Sequence, residues 1–281
     1  MRWLVVGANG MLGQDLVMVL ASRGEVAQGV DRTAIDITDP AECSGMADGF
    51  DVVVNCAAYT AVDAAEADEA SAFAVNAVGA ANVARATRTA GARLVHISTD
   101  YVFDGVAATP YAEDAPLAPR SAYGRTKGAG EWAVRSECPD HLLVRTAWLY
   151  GAHGRCFPKT IVRVARERGE LAVVDDQFGQ PTWTVDLADL AHRLVLAGAP
   201  AGTYHGTASG KTSWYAFARE AVTAVGLDRG IVASIPTASH AGRATRPAYS
   251  VLGHDALIEA AIAPIGDWSE RWRVAAPSVL V

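Results

Sequence analysis

Cysteine is scarce in this sequence. Four residues (Cys43, Cys56, Cys138 and Cys156) stand far apart among 281, and none forms a Cys-x-x-Cys pair. That spacing argues against a disulfide framework or a zinc site and suits a reducing cytoplasm. No His/Asp/Glu grouping has metal-ligand spacing, so no metal is expected. Positive charge is in deficit: Lys and Arg number 24 against 31 Asp and Glu, a net charge of −7. A nucleic-acid partner needs a basic face and is not expected. Any anionic ligand has to be held by local positive ends, not by global charge. No uncharged apolar run reaches the length of a membrane span, so no membrane partner is expected. The opening Met1 to Gly7 carries one charge and a short apolar run, which reads as a strand rather than a signal peptide. Internal repeats, low-complexity tracts and flexible linkers are also missing.

What is present is an alternation of strands and helices. Hydrophobic residues make up 51% and charged residues 20%, a globular composition. Trp3 to Val6 reads as a strand, Gly7 to Gly13 as a glycine turn, and Gln14 to Ser22 as an amphipathic helix. Glu25 to Val30 reads as a second strand ending at Asp31-Arg32. Further strands are expected at Asp51–Asn55, Arg93–Ser98 and His141–Arg145. Helices are expected over Ala64–Thr89, in two pieces, and Arg125–Glu137. This is the pattern of an α/β protein, a Rossmann-type doubly wound parallel sheet. After about residue 150 the alternation loosens. A basic helix is expected at Phe157–Gly169 and a closing helix at Asp267–Val274. Residues 1–150 thus read as a dinucleotide-binding domain. Residues 151–281 read mainly as a smaller C-terminal substrate-binding lobe, with some segments returning to the core.

The turn Gly7-x-x-Gly10-x-x-Gly13 has a physical logic. Gly7 permits the tight turn, Gly10 lets backbone approach a diphosphate, and Gly13 lets the helix pack close to the strand. Asn9, Met11 and Leu12 lie within it. Asp31, at the end of the second strand, can accept hydrogen bonds from ribose hydroxyls and favours NADH. Arg32 beside it can instead bind the 2′-phosphate of NADPH. Asp36-Ile37 are positioned to flank an adenine. Small residues after the third strand, Ala57-Ala58 before Tyr59, let a cofactor lie against backbone. Tyr123 and Lys127 stand four residues apart, on one face of a helix. An ammonium there lowers the phenol's pKa and prepares it for proton transfer.

Together the glycine turn and the Tyr/Lys pair resemble the extended short-chain dehydrogenase/reductase superfamily. Longer segments resemble the dTDP-4-dehydrorhamnose reductases, the RmlD family. These are Asn55-Cys-Ala-Ala-Tyr-Thr-Ala-Val-Asp63-Ala-Ala-Glu66, Ser98-Thr-Asp-Tyr-Val-Phe-Asp-Gly105, Arg145-Thr-Ala-Trp148-Leu-Tyr150, Val174-Asp-Asp-Gln177-Phe-Gly-Gln-Pro-Thr182, Ala208-Ser-Gly and Arg246-Pro247. Two stretches depart from the pattern: Trp183 replaces an expected small residue, and the segment from Gly253 onward matches poorly.

The resemblance implies NADPH-dependent reduction (NADH being an alternative cofactor) of the 4-keto group of a dTDP-6-deoxyhexulose to dTDP-L-rhamnose. It implies Tyr123 as proton donor, Lys127 as the residue tuning it and holding the nicotinamide ribose, and Thr99 as the hydroxyl orienting the substrate oxygen. Ser98 is the rival to Thr99, and strand alternation lets only one face the site. Asn76 is implied to stabilise the site through the backbone. Asp100, Trp148 and Arg246 are implied substrate contacts, Arg246 for the diphosphate. His96 reads as a buried core residue. A sister ketoreductase acting on another dTDP-deoxyhexulose would share the turn and the pair, and a non-catalytic cofactor-binding subunit could share the turn. A homodimer is compatible with the sequence.

Overall fold

The computed structural model describes residues 1–239 and 244–281, so residues 240–243 of the expected tail lie outside the description. In chain order the main elements are β1 (Arg2–Val6), α1 (Met11–Ser22), β2 (Val26–Val30) and β3 (Val52–Asn55). Next come α2 (Ala80–Thr89), β4 (Arg93–Thr99), α3 (Ala122–Glu137), β5 (His141–Thr146) and α4 (Phe157–Arg168). The chain continues through β6 (Leu171–Val174), α5 (Thr184–Leu196), β7 (Gly202–His205), α6 (Trp214–Thr223), β8 (Val232–Ile235) and α7 (Trp268–Val279).

Six strands form one parallel sheet in the order β7-β5-β4-β3-β1-β2. The inner strands β3 and β5 are buried along their whole length because helices cover both faces. Alternate residues divide between two cores. Trp3, Val5, Val52 and Val54 pack under Leu16 and Leu20 of α1 and Leu187, Leu190 and Leu194 of α5. Leu4, Val6, Val53 and Leu94 pack on the other face with Val83 and Val134. The chain runs from β1 to β2 on one side and returns to β3 on the other. Strand order reverses there, and the crevice that opens at the strand ends is where such sheets take ligands.

A second core lies outside the sheet. Tyr150, Ile161, Val162, Phe217, Val232 and Trp272 form it, with β6 and β8 paired in parallel. Residues 151–281 therefore divide: α5, β7, Ala208, Leu257, Ile262 and Ile265 join the main body, Leu252 packs on Val102 and Phe103, and α4, β6, α6, β8 and α7 build the smaller lobe. The closing helix runs to Val279, past the expected end at Val274, and includes Pro277. Burial of Ala275, Ala276 and Val279 against the lobe core sustains that extra turn. No helix among the described residues is long and apolar enough to cross a membrane.

The helix expected over Ala64–Thr89 does come in two pieces, Val62–Ala65 and a longer run from Glu69 through α2 that carries a π-helical turn at Ala74–Gly79. The π turn lies where α3 comes closest. A Cβ on Gly130 of α3 would overlap the Asn76 carbonyl, and one on Gly124 would overlap the Tyr101 carbonyl. Glycine inside a helix costs about 1 kcal/mol of propensity; here it permits the close approach that places α3 against the ends of the strands. Gly130→Ala should therefore lower stability by about 1–3 kcal/mol, the usual cost of overpacking. Gly202→Ala, with open space at the Cβ position, should stay within about 0.5 kcal/mol. Thermal denaturation of both variants checks the contrast, and equal midpoints would count against a tight α3 contact.

Candidate active site

The glycine turn forms one end of the site. Gly7 has φ of 83°, and a Cβ there would lie 2.8 Å from the Ala57 nitrogen, so glycine is required for both conformation and space. A Cβ on Gly13 would overlap the Gly7 carbonyl, which is how closely α1 sits on the turn. Around Gly10 the only near neighbour is the Gly7 oxygen. Gly10 also caps α1 with no side-chain acceptor, and the first turn carries no acid. The first N–H groups of α1 are left for an anion, with the positive end of the helix dipole behind them. These features fit the diphosphate of a dinucleotide.

From this turn a cleft of about 710 Å³ crosses the ends of the strands. Of the residues singled out from the sequence, Gly7, Asn9, Gly10, Met11, Leu12, Gly13 and Ala58 line it at the turn end. Thr99, Asp100, Tyr123 and Lys127 line its middle, and Trp148 its far end.

Three consecutive residues of β4 are each held by a group on α3 or turned into the cleft. The Lys127 ammonium donates to the Ile97 carbonyl at 2.7 Å. The Ser98 hydroxyl donates to Glu131 at 2.7 Å. Ser98 also lines the cleft, but its hydroxyl is committed to Glu131, and the Thr99 hydroxyl is the one beside Tyr123, donating to Asp100 at 3.0 Å. The Tyr123 ring stands edge-on to Tyr101, with centroids 5.6 Å apart.

The electrostatics correct one expectation. Burial pushes the Tyr123 phenol well above its ordinary range, with the charge of Asp100 acting the same way and the Thr99 hydroxyl opposing it. Lys127 does not bring it down. Its own pKa falls to about 8 because it is buried, an effect that Glu131 partly offsets. Tyr123 is therefore a protonated phenol, suited to giving a proton rather than to holding a phenolate. Burial also raises the Asp100 carboxyl to about 6, and its Oδ2 has no hydrogen-bond partner among the described residues.

The remaining candidates lie off the cleft wall. Asp31 is tied to its own loop, accepting from the Thr33 hydroxyl at 2.6 Å and from the Asn9 amide. Arg32 beside it is exposed. Asp36 similarly accepts from Thr38 at 2.7 Å. Ile37 is a core residue packed against Gly79, so its side chain does not flank a ligand. The Ala57 nitrogen donates to Asn55. Asn76 does act through backbone: its side chain bonds both the nitrogen and the carbonyl of Tyr59 (2.8 and 3.2 Å) and the Thr126 hydroxyl (3.0 Å). Arg246 is ion-paired to Asp63 at 2.6 Å and donates to the Tyr101 hydroxyl at 3.1 Å. It reaches the site only through the Tyr101 ring. Trp183 faces a separate groove with Asp186 and Arg271, so this departure from the family pattern lies away from the cleft.

Among the cleft residues that were not foreseen, two matter most: Trp214 and Arg155. Trp214 stacks on Trp148 with centroids 3.5 Å apart and planes 9° off parallel. Arg155, exposed on the loop before α4, is the second basic residue on the wall besides Lys127. That loop is pinned by Lys159, which donates to the Ala152 and Gly154 carbonyls, and by the close packing of Gly151 on Met11 and Asp15 of α1. Trp214 follows Ser213 at a helix start, a cue for a cap rather than for a ligand, and a lone loop arginine carries no pattern at all.

Comparison with known proteins places the whole chain in one family. The RmlD substrate binding domain family matches residues 1–279, including the segment beyond Gly253 that had looked divergent. A dTDP-4-keto-6-deoxy-D-glucose reductase of Streptomyces niveus is 48% identical over 279 residues, covering 98% of this chain and 96% of that protein. A dTDP-4-dehydrorhamnose reductase of Streptomyces griseus is 47% identical over 274 residues, covering 95% and 90%. The crystal structure of a dTDP-4-dehydrorhamnose reductase from Bacillus anthracis in complex with NADP superposes with a TM-score of 0.94, at 36% identity and 98% coverage of both chains. With its glycine turn, its Thr99–Tyr123–Lys127 constellation and a match over nearly its whole length, the chain belongs to the RmlD substrate binding domain family.

Proposed function

We propose that this protein is an NADPH-dependent reductase that converts the 4-keto group of dTDP-4-dehydro-L-rhamnose to the alcohol of dTDP-L-rhamnose. The observation that carries the reading is a protonated Tyr123 beside Thr99 and Lys127, in a cleft that ends at the uncapped N-terminus of α1. NADPH supplies the hydride. The α1 N–H groups and the glycine turn hold its diphosphate, and Lys127 faces its nicotinamide ribose. As charge grows on the C4 oxygen, Thr99 donates a hydrogen bond to it and Tyr123 delivers the proton. Exposed Arg32 suits the 2′-phosphate of NADPH. Asp31 remains an acceptor for NADH, although its oxygens already serve Thr33 and Asn9. Asp100 accepts a sugar hydroxyl, the Trp148–Trp214 wall covers a flat face of the substrate, and Arg155 holds the second diphosphate. Four free thiols fit a cytoplasmic enzyme.

A second reading is a sister ketoreductase for another dTDP-deoxyhexulose. The near-equal identities to relatives named for different sugars favour keeping it. Incubation with each dTDP-4-ketosugar and NADPH, followed by NMR of the product, separates the two. No NADPH oxidation with any of them would overturn both.

Three outcomes are expected in this assay. Tyr123→Phe should fold and bind NADPH but lose roughly 10²–10⁴-fold in kcat; a loss of only a few-fold would place the proton donor elsewhere. kcat/KM should fall as pH rises through about 8, where Lys127 gives up its proton; a flat profile to pH 9.5 would contradict a required ammonium. Arg155→Ala should raise KM for the sugar nucleotide by about 10-fold or more, with kcat nearly unchanged, as expected for a lost charge-assisted contact of about 1.5–3 kcal/mol. An unchanged KM would remove Arg155 from the site.

A further inference from the structure

Glu131 lies on α3 one turn beyond Lys127, as Lys127 lies one turn beyond Tyr123. The three side chains form a single line along the helix. Each is placed at a successive part of the end of β4: Tyr123 beside the Thr99 hydroxyl, Lys127 on the Ile97 carbonyl and Glu131 on the Ser98 hydroxyl. Glu131 is wholly buried, a costly place for a carboxylate. Arg145 of β5, itself 1% exposed, meets it with two parallel bonds at 2.9 and 2.8 Å. Arg135 adds a third contact at 3.1 Å.

If the pair served packing alone, apolar residues of similar volume would serve as well or better. What distinguishes Glu131 is its position relative to a second buried cation. Lys127 is 2% exposed, and the neutral Ile97 carbonyl is its hydrogen-bond acceptor. Of the other titratable groups around it, three carry no charge at neutral pH. Cys56, after β3, is a thiol whose pKa burial pushes up to about 12. His96 of β4 is held neutral by burial, and Tyr123 is a phenol. Asp100, beyond Thr99, acts on Tyr123 rather than on Lys127. Among these groups Glu131 is the one anion that supports the ammonium.

We propose that Glu131, clamped by Arg145 and Ser98, is a positioning residue that keeps Lys127 charged and α3 in register with β4. Its carboxylate acts on Lys127 through space, one helical turn away, and touches neither substrate nor cofactor. The same bond commits the Ser98 hydroxyl to Glu131 and leaves the site to Thr99. The inference rests on the proposed function for its kinetic readout but not for its binding readout.

The test compares wild type, Glu131→Gln and the double variant Glu131→Met/Arg145→Met. The double variant removes both charges at once, so no buried ion is left unpaired if the single variant fails to fold. Two profiles are measured from pH 6 to 10: kcat/KM with the dTDP-4-ketosugar, and Kd for NADPH by fluorescence. Removal of the anion lowers the Lys127 pKa, so the ammonium is lost at lower pH. The alkaline limb of both profiles should move down by about one to two pH units in Glu131→Gln, and by a smaller amount in the same direction in the double variant, where the Arg145 cation leaves with the anion. At pH 6, rates and affinity should stay within a few-fold of wild type. A limb that stays in place, or a loss by one common factor at every pH, would reduce Glu131 to a structural ion pair and overturn the proposal. If the wild type turns over no ketosugar, the proposed function fails while the NADPH profile still decides the role of Glu131.

Discussion

The closeness of α3 to the end of β4 is the constraint on which the site depends. It brings a lysine into a position where almost no water reaches it, and a buried ammonium persists only with partners. The Ile97 carbonyl supplies one, and the carboxylate of Glu131 the electrostatic balance. That carboxylate needs its own partner, found in Arg145 on the neighbouring strand. One close helix contact thus requires glycines at its points of nearest approach, a buried ion pair behind it and a specific alternation along β4. Little of this is decoration around Tyr123. It is what allows a phenol, a hydroxyl and an ammonium to face one cleft together.

The acidic chain handles anionic ligands by placing positive ends locally. At one end of the cleft the donors are backbone: an uncapped α1, with no acid in its first turn and room at Gly10. At the other end a guanidinium, Arg155, sits on a loop tied down by Lys159 and packed, at Gly151, against Asp15 and Met11. Asp15 and Met11 belong to α1, so the loop that carries Arg155 packs on the helix whose N-terminus opens into the cleft. The two positive ends belong to one connected body, and Tyr123 lines the same cleft.

Legibility from sequence followed the locality of each constraint. The glycine turn could be read because strand, turn and helix are contiguous and each glycine has a separate steric reason. Tyr123 and Lys127 could be read because helical spacing alone puts them on one face. Pairings that depend on folding could not be read in the same way. Glu131 is visible as a helix residue, but its partner Arg145 comes from another strand and its effect on Lys127 from their shared burial. The same dependence reversed the reasoning about Tyr123: the lysine neighbour suggested a lowered pKa, and desolvation raised it instead. Ile37 and Arg246 illustrate the opposite error. Each lies in a segment close to the site, yet one packs into the core and the other is committed to Asp63 and Tyr101.

Sugar choice then falls to the far wall. Trp148 adopts φ of 49°, an uncommon conformation for a bulky side chain that costs on the order of 1–3 kcal/mol. Its ring is held between Trp214, stacked at 3.5 Å, and Gly179, where any Cβ would overlap the indole. Trp214 in turn packs on Phe157 of α4, at 4.4 Å between centroids. The strained tryptophan is therefore set by the smaller lobe, through contacts from α6, α4 and the segment before α5. Tyr123, Lys127 and the glycine turn answer to the sheet. Substitutions that repack the lobe can reshape the wall that meets the hexulose without moving the groups that transfer hydride and proton. This division of labour gives a physical route by which one reaction centre can serve different 4-ketosugars.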